Sequence, residues 1–229
     1  DGRPIGSAQY PEYHLDGVTQ AWAVAALGDT ERTRQAMASA WQQLYEPTAG
    51  LMRCLTPPME SLRVGPASAL LPGAGRNGGQ DTLSAAWLLE ALALLGWHDR
   101  AWLLLDGLNP LLRTDDADRY RQPPYLLPAS MTAPPQVPGQ ALSPADAGAA
   151  AALYDVILRR LLGLNKLGSQ VSFTPHVPPR WDFFSLTLRY GASTWHFHAS
   201  RDTAALTCDG DRLTTDAVTL TDDGRIHQV

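Results

Sequence analysis

Glycines 28, 96 and 163 each follow an apolar run at helical spacing, and they stand 68 and 67 residues apart. Residues 15–27 and 30–44 place apolar side chains on one helical face and are separated by Gly28-Asp29, with Asp29 or Thr30 as the N-cap. Residues 82–95 form a strongly apolar helix closed by Gly96, and residues 98–108 stop at Asn109-Pro110, where proline blocks the α conformation before it. Residues 145–162 make the last long helix, closed by Gly163. The first two junctions also share Leu27-Gly28-x-x-Glu31-Arg32 and Leu95-Gly96-x-x-Asp99-Arg100. A period of this length predicts an array of helical hairpins such as a toroid. The alternative stays open that these are ordinary helix ends, where glycine is common.

Between the paired helices run long proline-rich loops, residues 51–75 and 120–138, of the kind that rim pockets in helical toroids. From Val171 the pattern changes to strand alternation, in Val171-Ser172-Phe173, residues 184–190 and residues 194–199. Asp209-Gly210 and Asp222-Asp223-Gly224 read as tight hairpin turns. The expected organisation is a mainly α domain over residues 1–165 and a small antiparallel β domain over residues 166–229.

Composition removes several functions. A net charge of -5 and a pI near 5.6 do not suit a nucleic-acid partner. No apolar run reaches the ~20 residues needed to cross a bilayer. The start, Asp1-Gly2-Arg3-Pro4, lacks methionine and resembles no signal peptide, so the chain is expected to begin inside a longer protein. Cys54 and Cys208 have no metal-type spacing and read as reduced thiols, with a long-range disulfide as the alternative. Serine-nucleophile, P-loop, zinc-protease and dinucleotide motifs are absent.

Some residues could still do chemistry. Glu12 and Asp16 stand four apart, on one face if both are helical, as paired carboxylates for glycosidic chemistry or simply as first-turn acids. His196 and His198 share a strand face, but no third metal ligand is evident and an exposed face is the plainer reading; His14, His98, His176 and His227 look isolated. No metal and no organic cofactor are expected. Trp22, Trp41, Trp87, Trp97 and Trp102 suit core packing, while the loop residues Tyr120 and Tyr125 suit core or sugar stacking equally. The most suggestive stretch is Arg76-Asn77-Gly78-Gly79-Gln80-Asp81-Thr82-Leu83, where a turn only glycine can make delivers two amides to the mouth of an apolar helix.

These residues resemble glycoside hydrolase family 94. The resemblance is carried by residues 1–9, Gln20-Ala21-Trp22-Ala23-Val24, Leu55-Thr56-Pro57-Pro58, Asn77-Gly78-Gly79-Gln80, Leu108-Asn109-Pro110, Pro124-Tyr125 and Asp222-Asp223-Gly224-Arg225-x-His227. Within the family the sequence is most similar to the C-terminal phosphorylase-like region of cyclic β-1,2-glucan synthases. The resemblance implies the C-terminal part of an (α/α)6 barrel followed by a small β domain. It implies inverting phosphorolysis of a β-glucosidic bond by a parent glycosyltransferase or phosphorylase, with the general acid Asp upstream of residue 1. The chain itself would then hold no catalytic residue. Asn77, Gly78, Gly79, Gln80, Tyr125 and Gly148 would contact a β-glucan oligosaccharide.

Two phosphate positions depart from the family pattern: its His falls on Leu83 and its Thr on Ala147, while Asp146 adds a negative charge and Pro123 replaces a Glu. Each lost hydrogen bond to a charged ligand costs roughly 1.5–3 kcal/mol. The expectation is therefore an inactive chain that binds glucan or acts as a scaffold. Inorganic phosphate would be used only if the parent is active, and a purely structural module is the alternative. Expected partners are the N-terminal half of the barrel or a second copy through self-association, at the cytoplasmic side of a bacterial inner membrane or in the cytoplasm.

Overall fold

The computed structural model describes residues 4–7, 9–142, 146–202 and 205–229. It divides into two compact units, residues 1–154 and 155–229. In chain order the first contains β1 (Leu15–Asp16), α1 (Gly17–Leu27), α2 (Glu31–Leu44), β2 (Tyr45–Glu46), β3 (Leu51–Met52) and β4 (Leu55–Thr56). Then follow β5 (Gln80–Asp81), α3 (Thr82–Leu94), α4 (His98–Leu108), α5 (Pro110–Arg113), α6 (Ala117–Tyr120), β6 (Ser130–Met131) and α7 (Ala147–Val156), which crosses the division.

The three spaced glycines close helices as the sequence predicts, and all take positive φ: +72° at Gly28, +72° at Gly96 and +73° at Gly163. Thr30 is the N-cap of α2, in a reciprocal capping box with Thr33. Helix α3 packs against both α1 and α4. Its Ala85, Leu88, Leu89 and Leu92 are fully buried, as suits a helix apolar all round.

One helix start differs from the expected one. Helix α1 begins at Gly17 because Leu15 and Asp16 are drawn into an antiparallel pair with β4. The expected start of the last helix, residue 145, lies outside the described residues, and Ile157–Leu161 finish that helix as a π turn.

The second unit holds β7 (Leu164–Leu167), β8 (Gln170–Phe173), β9 (Phe183–Tyr190), β10 (Ser193–Ser200), β11 (Thr207–Cys208), β12 (Asp211–Arg212), β13 (Ala217–Thr219) and β14 (Ile226–Gln228). Two three-stranded sheets, ordered β13-β8-β7 and β14-β10-β9, enclose a core of Val171, Phe173, Trp195, Phe197, Val218 and Leu220. Asp209-Gly210 turns the β11–β12 hairpin as expected. Asp222-Asp223-Gly224 does not make a hairpin. It carries the chain from β13 to β14 in the other sheet, where β14 pairs parallel with β10. The unit is therefore not wholly antiparallel.

His227, isolated in sequence, is not isolated in the fold. Its ring stacks on Trp195 at 4.0 Å, with Nδ1 2.7 Å from Asp209 Oδ2 and Nε2 3.1 Å from Asp223 Oδ1. The Asp209 carboxylate, and after it that of Asp223, raise the imidazole pKa above 6.5 although burial opposes them. Hydrogen bonds hold both carboxylates ionised: from His227 chiefly for Asp209, and from the Arg225 backbone chiefly for Asp223. A raised pKa adds stability that is fully present below the unfolded value and lost as pH rises through the folded value. Thermal melting of the wild type and His227→Gln should therefore differ most near pH 6 and converge toward pH 9. A difference that grows with pH would contradict the charged clasp.

Candidate functional site

The glycine-rich turn folds into a buried knot. Strand β5 pairs with β6 through Gln80 and Met131, while Ala133 N–H donates to Gly73 O at 2.8 Å. Asn77 is 0% exposed: its Oδ1 accepts from Met59 N–H at 2.7 Å, and its Nδ2 donates to Met59 O at 2.9 Å and Leu70 O at 2.8 Å. Gln80, also 0% exposed, accepts from Met52 N–H at 2.9 Å. Its Nε2 is buried without a hydrogen-bond partner among the described residues.

Here glycine is required by close approach. A Cβ on Gly79 would lie 2.5 Å from Gly75 N and Met131 O, and one on Gly78 would lie 2.7 Å from the Pro58 side chain. Both amides are thus turned toward the protein's own backbone rather than displayed at a surface. Cys54 N–H closes the knot on Gly79 O at 2.8 Å. Burial, and next the charge of Asp81, push the Cys54 thiol up to about 12, so it is no nucleophile at neutral pH. Both cysteines are free.

Carboxylates close the helix mouths. Asp81 caps α3, accepting from Ser84 N–H at 3.0 Å, and pairs with Arg76 at 3.1 Å. Asp146 Oδ1 accepts from Gly148 N–H at 2.8 Å and Ala149 N–H at 3.2 Å at the start of α7. Leu83 and Ala147 sit in the first turns of those two helices. Asp16 caps α1, accepting from Thr19 N–H at 2.7 Å and the Tyr13 hydroxyl at 2.9 Å.

Glu12 does not share a helical face with Asp16, which corrects the paired-carboxylate reading. It lies before α1 and accepts from Glu60 N–H at 2.9 Å, Ser61 N–H at 3.0 Å and Leu62 N–H at 2.9 Å, together with the Ser61 hydroxyl. The Ser61 hydroxyl, then the Leu62 amide, hold its pKa at about 2. A carboxylate so committed neither donates nor takes a proton at neutral pH.

Tyr125, with φ +65°, is 69% exposed, whereas Tyr120 is core and donates its hydroxyl to Leu126 O. Tyr125 N–H points to Thr114 Oγ1 at 3.4 Å and Gly148 N–H donates to Asp146, neither partner belonging to the knot around Asn77. Trp102 is buried as expected. Trp22 is 54% exposed and meets Trp87 edge to face at 5.3 Å. Trp41 stacks on Tyr45 at 4.2 Å, and Arg100 lies 4.5 Å over Trp97. Among the described residues no three His, Cys, Asp or Glu side chains gather in a way that could hold a metal ion.

A helical unit with its capped, glycine-tied loops, followed by a β unit, is the pattern of a known class. Residues 1–163 match the catalytic domain of the glycosyl hydrolase 94 superfamily, and the chain belongs to that superfamily. It is 32% identical over 208 residues, 88% of this chain, to the cyclic beta-(1,2)-glucan synthase NdvB of Rhizobium meliloti (strain 1021). It is 26% identical over 92% of its length to the N,N'-diacetylchitobiose phosphorylase of Vibrio proteolyticus. Against the 3-O-beta-D-glucopyranosyl-beta-D-glucuronide phosphorylase of Paenibacillus borealis it is 25% identical over 100% of its length. The chain spans only 7%, 27% and 31% of these relatives, respectively.

Sequence reading located the Asn77 turn but missed what its amides bind, since the backbone partners lie up to 28 residues away. The sequence reading set Asp146 inside the helix over residues 145–162 and missed it as a cap, for which an Asp ahead of an alanine-rich run is the signal. Asn77→Ala strands the Met59 and Leu70 backbone groups and should cost about 3 kcal/mol in urea unfolding. Arg76→Ala, which removes only an exposed ion pair, should cost less than about 1 kcal/mol. Equal losses would contradict the knot.

Proposed function

We propose that this chain is the C-terminal part of a larger family 94 protein of β-glucan metabolism, that its phosphate site is degenerate, and that it holds or scaffolds glucan rather than cleaving it. The observation that carries the reading is the Asp146 carboxylate, which accepts from the Gly148 and Ala149 amides in the first turn of α7. The family resemblance sets a phosphate contact at Ala147, beside those amides. An anion arriving there meets a carboxylate in its place and a methyl side chain at Ala147, and the other expected phosphate position, in the first turn of α3, is Leu83. Like charges 4 Å apart repel by about 1 kcal/mol even in water, and more in a cleft. A neutral glucan suffers no such repulsion, and exposed Tyr125 offers it a ring.

The remaining helices of an (α/α)6 barrel are the proposed partner. Between α1 and α3, Trp22, Trp87, Glu90 and Leu94 line a small open groove of apolar character. The lengths of the relatives supply chain enough to cover it. Without that cover, self-association through this face is the expected behaviour. None of the described helices is long and apolar enough to cross a membrane. Placement at the cytoplasmic side of an inner membrane, within a larger protein, follows from the resemblance alone. No organic cofactor or metal is needed for this role.

Calorimetry separates the readings. Inorganic phosphate should give no binding heat at about 10 mM, whereas a β-1,2-linked gluco-oligosaccharide should bind with a Kd near or below about 1 mM. Asp146→Ala should lower stability by about 1 kcal/mol through loss of the cap. Phosphate binding tighter than about 1 mM by the wild type would overturn the degenerate-site reading. Failure of the sugar to bind would leave a purely structural module.

A further inference from the structure

The exposed side of the β14-β10-β9 sheet has a composition that a plain solvent face does not explain. Register pairs His198 with Ser185 and His196 with Thr187, while Phe183 and Arg189 lie on the same face of β9. Phe183 is 60% exposed, and its ring lies 5.3 Å from the His198 imidazole at an interplanar angle of 32°. Ser185 Oγ stands 3.1 Å from His198 Nδ1, and Thr187 Oγ1 stands 3.0 Å from His196 Nδ1. Each bond fixes a ring and leaves its Nε2, on the far side, for an outside group.

Charge is scarce on this face. Among the described strand residues of this face Arg189 is the one Asp, Glu, Lys or Arg, in a chain with 23 Asp and Glu. Surfaces that serve only solubility mix Lys, Arg, Glu and Asp at roughly a quarter to a third of positions. An exposed aromatic ring beside oriented polar donors and acceptors is instead what a neutral sugar needs. The ring takes the C–H face of a pyranose, and imidazoles and hydroxyls exchange hydrogen bonds with its hydroxyl groups. A phosphate or acidic polymer would want more cations, and a second copy of the chain would want more apolar area.

We propose that this sheet face is a binding platform for a neutral oligosaccharide, with one pyranose ring on Phe183 and neighbouring hydroxyls bonded by His198 and His196. It does not depend on the reading of the first unit. NMR titration of the whole chain tests it with three probes: linear β-1,2- and β-1,4-linked gluco-oligosaccharides, and a glucuronate-containing oligosaccharide. The neutral chains should shift the backbone signals of residues 183–198, and the acidic one should shift them less. Phe183→Ala should weaken binding about five- to tenfold, the scale of one aromatic contact. His196→Gln with His198→Gln should weaken it further while the Trp195 signals stay native, and Tyr154→Ala should bind as the wild type does.

Shifts confined to the first unit would overturn the platform and leave the glucan reading standing. Binding of β-1,4 but not β-1,2 chains at residues 183–198 would support the platform and count against that reading. Unchanged affinity in Phe183→Ala, or a dimer dissolved by Phe183→Asp, would overturn it.

Discussion

The first unit depends on one buried side-chain amide. Asn77 replaces water for Met59 N–H, Met59 O and Leu70 O at once, and in doing so joins the two ends of the loop leading into α3. Backbone groups buried by a loop must find partners, and a loop broken by Pro57, Pro58, Pro66 and Pro72 cannot find them in a ladder. A single planar amide with two donors and an acceptor does the work instead. Gly79 then has to lack a side chain, since Gly73, Gly75 and Met131 approach it from several sides. The requirement for Asn-Gly-Gly at this turn is first a requirement of folding, whatever the turn later contributes to a ligand.

A second regularity follows from how the chain treats its free amides. Asp16, Asp81 and Asp146 each close a helix start with a carboxylate, and Glu12 is wrapped by three consecutive amides of a loop. Helix N-termini and such nests are the places where a fold ordinarily takes up an anion. Filling them from within stabilises the ends and settles their charge. The acidic balance of the chain acts in the same direction.

Much of this architecture was legible in the sequence because local rules decide it. Glycines 28, 96 and 163, the Thr30 cap and the Asn109-Pro110 stop are all read within a turn or two of the chain. What escaped was non-local. Leu15 and Asp16 look helical until β4 pairs with them, and Asp222-Asp223-Gly224 looks like a hairpin until β14 chooses a parallel partner. His227 reads as a lone residue because Asp209 and Trp195 reach it from 18 and 32 residues away. In the candidate site the glycine turn is readable from its pattern, but the orientation of its amides is not, since whether an amide faces a ligand or a neighbouring backbone depends on packing between loops.

The β unit shows the same division within one sheet. On its inner side β10 offers Trp195, Phe197 and Ala199 to the core, and the His227 ion cluster closes that core at one end. On its outer side the same strand carries His196 and His198, fixed by hydroxyls of β9. Strand alternation ties the two sides together: a slip of one residue would bury the histidines and expose the tryptophan. The ion cluster that fastens β14 against β10 therefore also holds the register on which the outer row depends. Any ligand that reads the outer row reads a surface whose spacing is set by burial on the other side.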